Sequence, residues 1–120
     1  MELEQKTNCI CMLRNIHKAI GECEQQLIKQ FGLNLNEAMT LCTLCNQSLC
    51  ASEIAEAAGM QCPQTSKVIK ALEQKGFLER QFGESDKRNM FFVLTNSGKE
   101  IQQQIIHFEL CMPEILKKLI

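Results

Sequence analysis

The chain has 120 residues, 45% of them apolar and 22% charged, with a formal net charge of −1. That is ordinary composition for one globular domain, and it excludes wholesale disorder and a collagen-like repeat. A total charge near zero means that any nucleic-acid role rests on local charge, not on the sum.

No run of 18 apolar residues is present, so no membrane-spanning helix is expected. The start, Met1 to Lys6, is polar and lacks the apolar core of a signal peptide, which predicts a cytoplasmic chain with no membrane partner. Eight cysteines are a high count. Without an export signal they are expected as free thiols, several of them buried as small apolar residues.

A first helix is predicted from about Leu3 to Gln30. Cys9, Leu13, Ile16, Ile20, Cys23 and Leu27 step by four and three, a heptad-like seam that calls for another helix against it. Phe31-Gly32 reads as its stop. A second helix starts at Asn34 or Asn36, with Ala38, Leu41 and Leu44 as its apolar stripe. Ser52 is the expected N-cap of a short helix Glu53–Ala58 that closes at Gly59. Pro63 suits the first turn of the next helix, which runs to Lys75 and stops at Gly76. Its buried face is Val68, Ile69 and Leu72, which leaves Gln64, Ser66, Lys67 and Lys70 outward.

Phe77–Phe82 and Met90–Leu94 then read as two strands around a polar tip at residues 83–88. The last helix begins near Ser97. Its seam, Ile101, Ile105, Phe108, Met112, Ile115 and Leu119, repeats the same stepping, with a bend or break at Pro113. Charge is uneven: residues 60–90 hold six basic and four acidic side chains, whereas residues 1–59 hold four and seven.

The order helix, short helix, turn, longer helix, hairpin is a winged helix-turn-helix, and the fold class is mainly α with a small β-hairpin. In this arrangement the second helix of the pair enters a major groove, and the hairpin tip reaches the backbone or the minor groove. The chain resembles the MarR family of bacterial transcription regulators. The resemblance rests on Gly32-Leu33-Asn34-Leu35, Ser52-Glu53-Ile54-Ala55 and Leu72-Glu73-Gln74-Lys75-Gly76-Phe77-Leu78-Glu79-Arg80. It rests also on Asp86-Lys87-Arg88 and Leu94-Thr95-Asn96-Ser97-Gly98, in that order and spacing over residues 32–100. It implies a homodimer on a palindromic double-stranded DNA site, with dimerisation helices at residues 1–31 and 97–120 and a reading head at residues 32–96. At 120 residues the chain is shorter than typical members, so a smaller dimer interface is expected.

The DNA-contact candidates are Gln64, Thr65, Ser66, Lys67 and Lys70 on the recognition helix 63–75. Arg80, Lys87 and Arg88 join them on and beside the wing. Asp86 is expected to orient Arg88. Cys9 and Cys11 are candidate redox thiols: Cys9 falls on the seam and is expected to be buried, and Cys11 falls off it and is expected to be accessible. Met12, Met39, Cys42 and Phe108 are candidate lining for a small lipophilic or aromatic effector, with plain core packing as the blander alternative.

Cys42 and Cys45 have a two-residue spacing, but a second Cys or Cys/His pair at finger spacing is missing, so no metal site is expected. No phosphate-binding glycine loop, carboxylate cluster or Ser-His-Asp spacing supports an enzyme, and no cofactor is expected. The leading expectation is a repressor released by a small-molecule or oxidant signal. Its rivals are a winged-helix module for protein association and a thiol- or metal-sensing regulator.

Overall fold

The computed structural model describes residues 2–83 and 90–119. Helix α1 spans Glu2–Phe31, α2 Leu35–Thr43, α3 Ala51–Ala58 and α4 Cys62–Gln74. Strands β1 (Leu78–Phe82) and β2 (Met90–Leu94) follow, then α5 (Asn96–His107) and α6 (Glu114–Lys117). No helix among the described residues is long and apolar enough to cross a membrane. The chain divides into two units, residues 1–32 with 109–120, and residues 33–108. Helix α5 stands in the second unit, with α2.

In the first unit, α1 packs against α6. Cys23 and Leu27 of the seam are buried, and the Cys23 thiol lies 3.9 Å from the Met112 sulfur. Burial, then the charge of Glu22 and the thiol of Cys111, push the Cys23 thiol up. Of the rest of the seam, Leu13 is 66% exposed, Ile20 and Cys9 are exposed, and Ile16 is half-buried.

The second unit is built on α2. Asn34 caps it through a reciprocal pair: its Oδ1 accepts from the Glu37 backbone N–H at 2.8 Å, and Glu37 Oε1 accepts from the Asn34 N–H at 2.9 Å. Helices α3, α4 and α5 all pack on α2, and Leu41, Leu44, Ile54 and Leu72 form the centre of the core. The hairpin is antiparallel, with Leu78 opposite Leu94 and Phe82 opposite Met90. Leu49 adds one isolated bridge to Phe92, so the segment before α3 is tied to the second strand.

Two boundaries differ from the sequence reading. Helix α3 is capped at Cys50, not Ser52, because the Glu53 carboxylate reaches back to the Cys50 N–H at 3.0 Å and starts the helix two residues early. The last long helix ends at His107, five residues short of the position before Pro113. Phe108 is extended at φ −75°, ψ 126°. Proline forbids a helical continuation onto the turn before it. The unwound segment finds other partners: the Gln26 side chain accepts from the Cys111 N–H at 2.7 Å and donates to the Cys111 carbonyl at 2.9 Å.

Candidate nucleic-acid interface

Helix α4 starts from a tight turn. Gly59 takes the left-handed conformation (φ 69°) and Met60 N–H donates to Ala55 O at 2.9 Å, which closes α3 and turns the chain. Gln61 caps α4 and Pro63 sits in its first turn, where a missing N–H leaves nothing unpaired. At the far end Gly76 (φ 81°) and Phe77 close the helix, with Phe77 N–H donating to Leu72 O at 3.0 Å. Both ends of α4 are therefore fixed by backbone hydrogen bonds.

Between those ends the helix is two-sided. Thr65, Val68, Ile69 and Leu72 are buried. Gln64, Ser66, Lys67, Lys70 and Gln74 are exposed. The outward face thus carries two ammonium groups and three neutral hydrogen-bonding side chains, a set that suits base edges and phosphates. Gln74 was missed from sequence. It lies four residues beyond Lys70, and the helical period alone places it on that face.

Thr65 is a correction. It is 1% exposed, and its hydroxyl donates to Gln61 O at 2.9 Å, so it belongs to the core face of α4 and not to the outward one. Arg80 is placed differently from its expected phosphate role. Its Nε and one terminal nitrogen donate to the Glu73 carboxylate at 2.7 and 3.0 Å, and the guanidinium lies 5.8 Å from the Phe92 ring centre. The Glu73 hydrogen bonds, then its charge, hold the Arg80 pKa above its ordinary value. The expectations for Asp86, Lys87 and Arg88 lie outside the described residues.

A second ion pair anchors α4 from below. Lys75 Nζ lies 2.7 Å from Glu37 Oε2, and the Glu37 side chain is only 6% exposed. Thr95 completes the frame: its hydroxyl donates to Gly76 O at 2.6 Å and accepts from Gly98 N–H at 3.0 Å. The loop that ends α4 is thereby stitched to the cap of α5.

The other candidates are scattered. Cys9 is exposed and Cys11 half-buried, the reverse of the expected order, because the N-terminal part of the seam is open in this chain. Of the four effector-lining candidates, Met12 stands in the first unit, and Met39, Cys42 and Phe108 in the second. None of them lines the cavity of about 470 Å³ in the second unit, whose wall is formed by residues 44 and 46–48, by Glu79 and Gln81, by Val93 and Leu94, and by Lys99. Among the described residues no group of three or more His, Cys, Asp or Glu side chains could hold a metal ion.

Residues 33–90 match the family model described as MarR family. The chain belongs to the MarR family. It is 34% identical over 90 residues to the HTH-type transcriptional regulator Hpr of Geobacillus thermodenitrificans, across 74% of this chain and 45% of that protein. It is 27% identical over 100 residues to the transcriptional repressor MprA of Escherichia coli K12, across 81% of this chain and 56% of MprA. The chain therefore spans about half the length of the relatives it matches. The solved structure of reduced AbfR bound to DNA has the same fold, with a TM-score of 0.77 at 23% identity over 98% of this chain and 85% of that one. The winged helix-turn-helix inferred from element order is thus the fold of this MarR-family chain.

Proposed function

We propose that this MarR-family chain is a non-enzymatic, cytoplasmic, DNA-binding transcriptional regulator of the repressor class. In this reading it acts as a homodimer on a palindromic operator. The observation that carries it is the outward face of α4, where Gln64, Ser66, Lys67 and Lys70 stand clear of a helix whose other face is buried. A helix pinned at both ends and polar on one face fits a major groove, where ammonium groups reach guanine or phosphate and amides reach adenine.

The open seam of α1 supports the dimer. Leu13 and Ile20 of the seam are exposed, as is Ile10 outside it, and exposed apolar surface on one helix calls for a covering surface. A two-fold pair of recognition helices would meet successive turns of the duplex, roughly 34–36 Å apart. The repressor sign follows the name of the relative MprA.

Fluorescence anisotropy of the reduced protein on DNA from upstream of its own gene, over a salt series, tests this reading. The expected result is tight, salt-sensitive binding that survives excess random DNA. Weak binding that is equal for random DNA, and unchanged by Lys67→Ala with Lys70→Ala, would sink it in favour of a winged-helix module for protein association.

A further inference from the structure

The DNA-reading face makes no use of the paired thiols at the end of α2. Cys42 sits in the last turn of that helix, and Cys45 lies one residue past its C-cap, Leu44. Cys45 N–H donates to Cys42 O at 3.4 Å, and Leu44 adopts φ −88°, ψ 16°. This is the last corner of a type I turn, which holds its first and fourth Cα atoms within about 7 Å. Leu44 is buried between them and pins the turn, and both cysteines are exposed. Partial shielding by the surrounding protein, then the neighbouring Cys45, push the Cys42 thiol up, as expected of two thiols that share a site.

The turn limits what the thiols can hold. With its end Cα atoms within about 7 Å, one atom can bridge the two sulfurs. A direct disulfide wants Cβ atoms about 3.5–4.5 Å apart and is strained at the wide end of the turn's span. A single atom inserted between the sulfurs tolerates the wider span. Zinc takes three or four protein ligands, and among the described residues no third ligand completes a metal group here. The fitting ligand is soft, binds two sulfurs and brings its own third substituent.

We propose that Cys42 and Cys45 form a two-thiol site for a monosubstituted trivalent organoarsenical, R–As(OH)2. Each Sγ–H gives its proton to one arsenic-bound hydroxyl, which leaves as water. Two As–O bonds break and two As–S bonds form. Arsenic stays trivalent, and no electron changes hands. The bridge closes a ring across the turn that leads into residues 46–48, the wall of the 470 Å³ cavity. Four residues past Cys45, Leu49 exchanges both backbone hydrogen bonds with Phe92 of β2, at 3.2 and 2.8 Å. Loading the site therefore reaches the hairpin through a short, hydrogen-bonded path.

The test uses the reduced full chain and phenylarsine oxide, which is a dihydroxyarsine in water. It needs no DNA, so its outcome is independent of the proposed function. Intact mass is expected to show one phenylarsenic gained and two hydrogens lost. Peptide mapping is expected to place the bridge on Cys42 and Cys45. The adduct should resist glutathione and yield to a dithiol.

Cys42→Ser and Cys45→Ser should each weaken retention by about 100-fold, because the second bond is then no longer intramolecular. Cys9→Ser with Cys11→Ser should leave retention unchanged. A bridge mapped to another pair, or undiminished retention in both single variants, overturns the site. Amide exchange at Leu49 and Phe92 should change on loading the wild-type chain and not Cys45→Ser. Unchanged exchange in the loaded wild-type chain overturns the link to β2.

Discussion

Lys75 and Glu37 join the end of the recognition helix to the start of the helix beneath it, with Nζ 2.7 Å from Oε2. The other carboxylate oxygen is already spent on the Asn34 N–H at 2.9 Å. One buried carboxylate thus caps α2 and fixes the C-terminal end of α4. Glu37→Gln keeps the shape but removes the charge from both bonds. Its unfolding free energy in urea should fall by about 2 kcal/mol, the range for a charged hydrogen bond together with a weakened cap. Lys75→Met should cost less, because the Lys75 side chain is 38% exposed and partly solvated.

The outward and inward faces of α4 separate binding from stability. Lys67→Ala and Lys70→Ala should each weaken DNA binding and lower the slope of log K against log salt by about 1 per lost phosphate contact. Thr65→Val should leave that slope unchanged. Its effect falls on folding, about 1 kcal/mol from the lost bond to Gln61 O. Anisotropy over a salt series, paired with denaturation, tells the two faces apart.

Glu73 is predicted to restrain Arg80. The carboxylate takes two of its donors, at 2.7 and 3.0 Å, on the strand that leads to the wing. Arg80 is exposed and Glu73 half-buried, so solvent screens the pair and Glu73→Gln should change stability little. The same change frees a guanidinium for phosphate, and DNA affinity and its salt slope should both rise. Affinity that stays level would mean that Arg80 points away from DNA even when released.

Much of this was readable from residues. Asn34 marks a helix start through its side-chain oxygen, Pro63 and Gly76 mark element ends through their backbones, and Met90–Leu94 is the second strand as predicted. The failures have physical causes. Thr65 looks like a polar surface residue, yet its hydroxyl satisfies itself on the carbonyl four residues back and so can be buried. Glu37 drew no expectation from the sequence, although Asn34 three residues before it is the cap signal that places it. Cys50 caps α3 without a usual capping side chain, because the bond comes from Glu53 instead. The seam past Phe108 keeps helical spacing, so the sequence signals a break only at Pro113, whereas the chain unwinds from Phe108 and bonds through Cys111 to Gln26, distant in sequence.

The Glu53 carboxylate gives the pH prediction. The Cys50 backbone N–H, and then the Cys50 side chain, hold its pKa below the ordinary value of 4.5. A depressed folded pKa contributes stability that is present above the unfolded value and lost as pH falls through the folded one. The start of α3 should therefore loosen below about pH 4.5. Glu53→Gln should remove that acid-side step while leaving the neutral-pH fold intact, read as the pH dependence of amide exchange at residues 51–54.

Gly98 carries the sharpest steric prediction. It is buried in the first turn of α5, and a Cβ added there would collide with the Phe77 carbonyl oxygen. The obstacle is backbone, so no rotamer relieves it. Phe77 cannot retreat freely, since its carbonyl accepts from Thr95 N–H at 3.0 Å and its own N–H donates to Leu72 O at 3.0 Å. Gly98→Ala must then push α5 away from the loop that ends α4. The expected cost is about 1–3 kcal/mol of unfolding free energy, as for other overpacked sites. Because the loop fixes the end of the recognition helix, DNA affinity should drop along with thermal stability. A variant that kept wild-type stability would show that α5 and the loop are not packed as closely as Thr95, Gly76 and Phe77 place them.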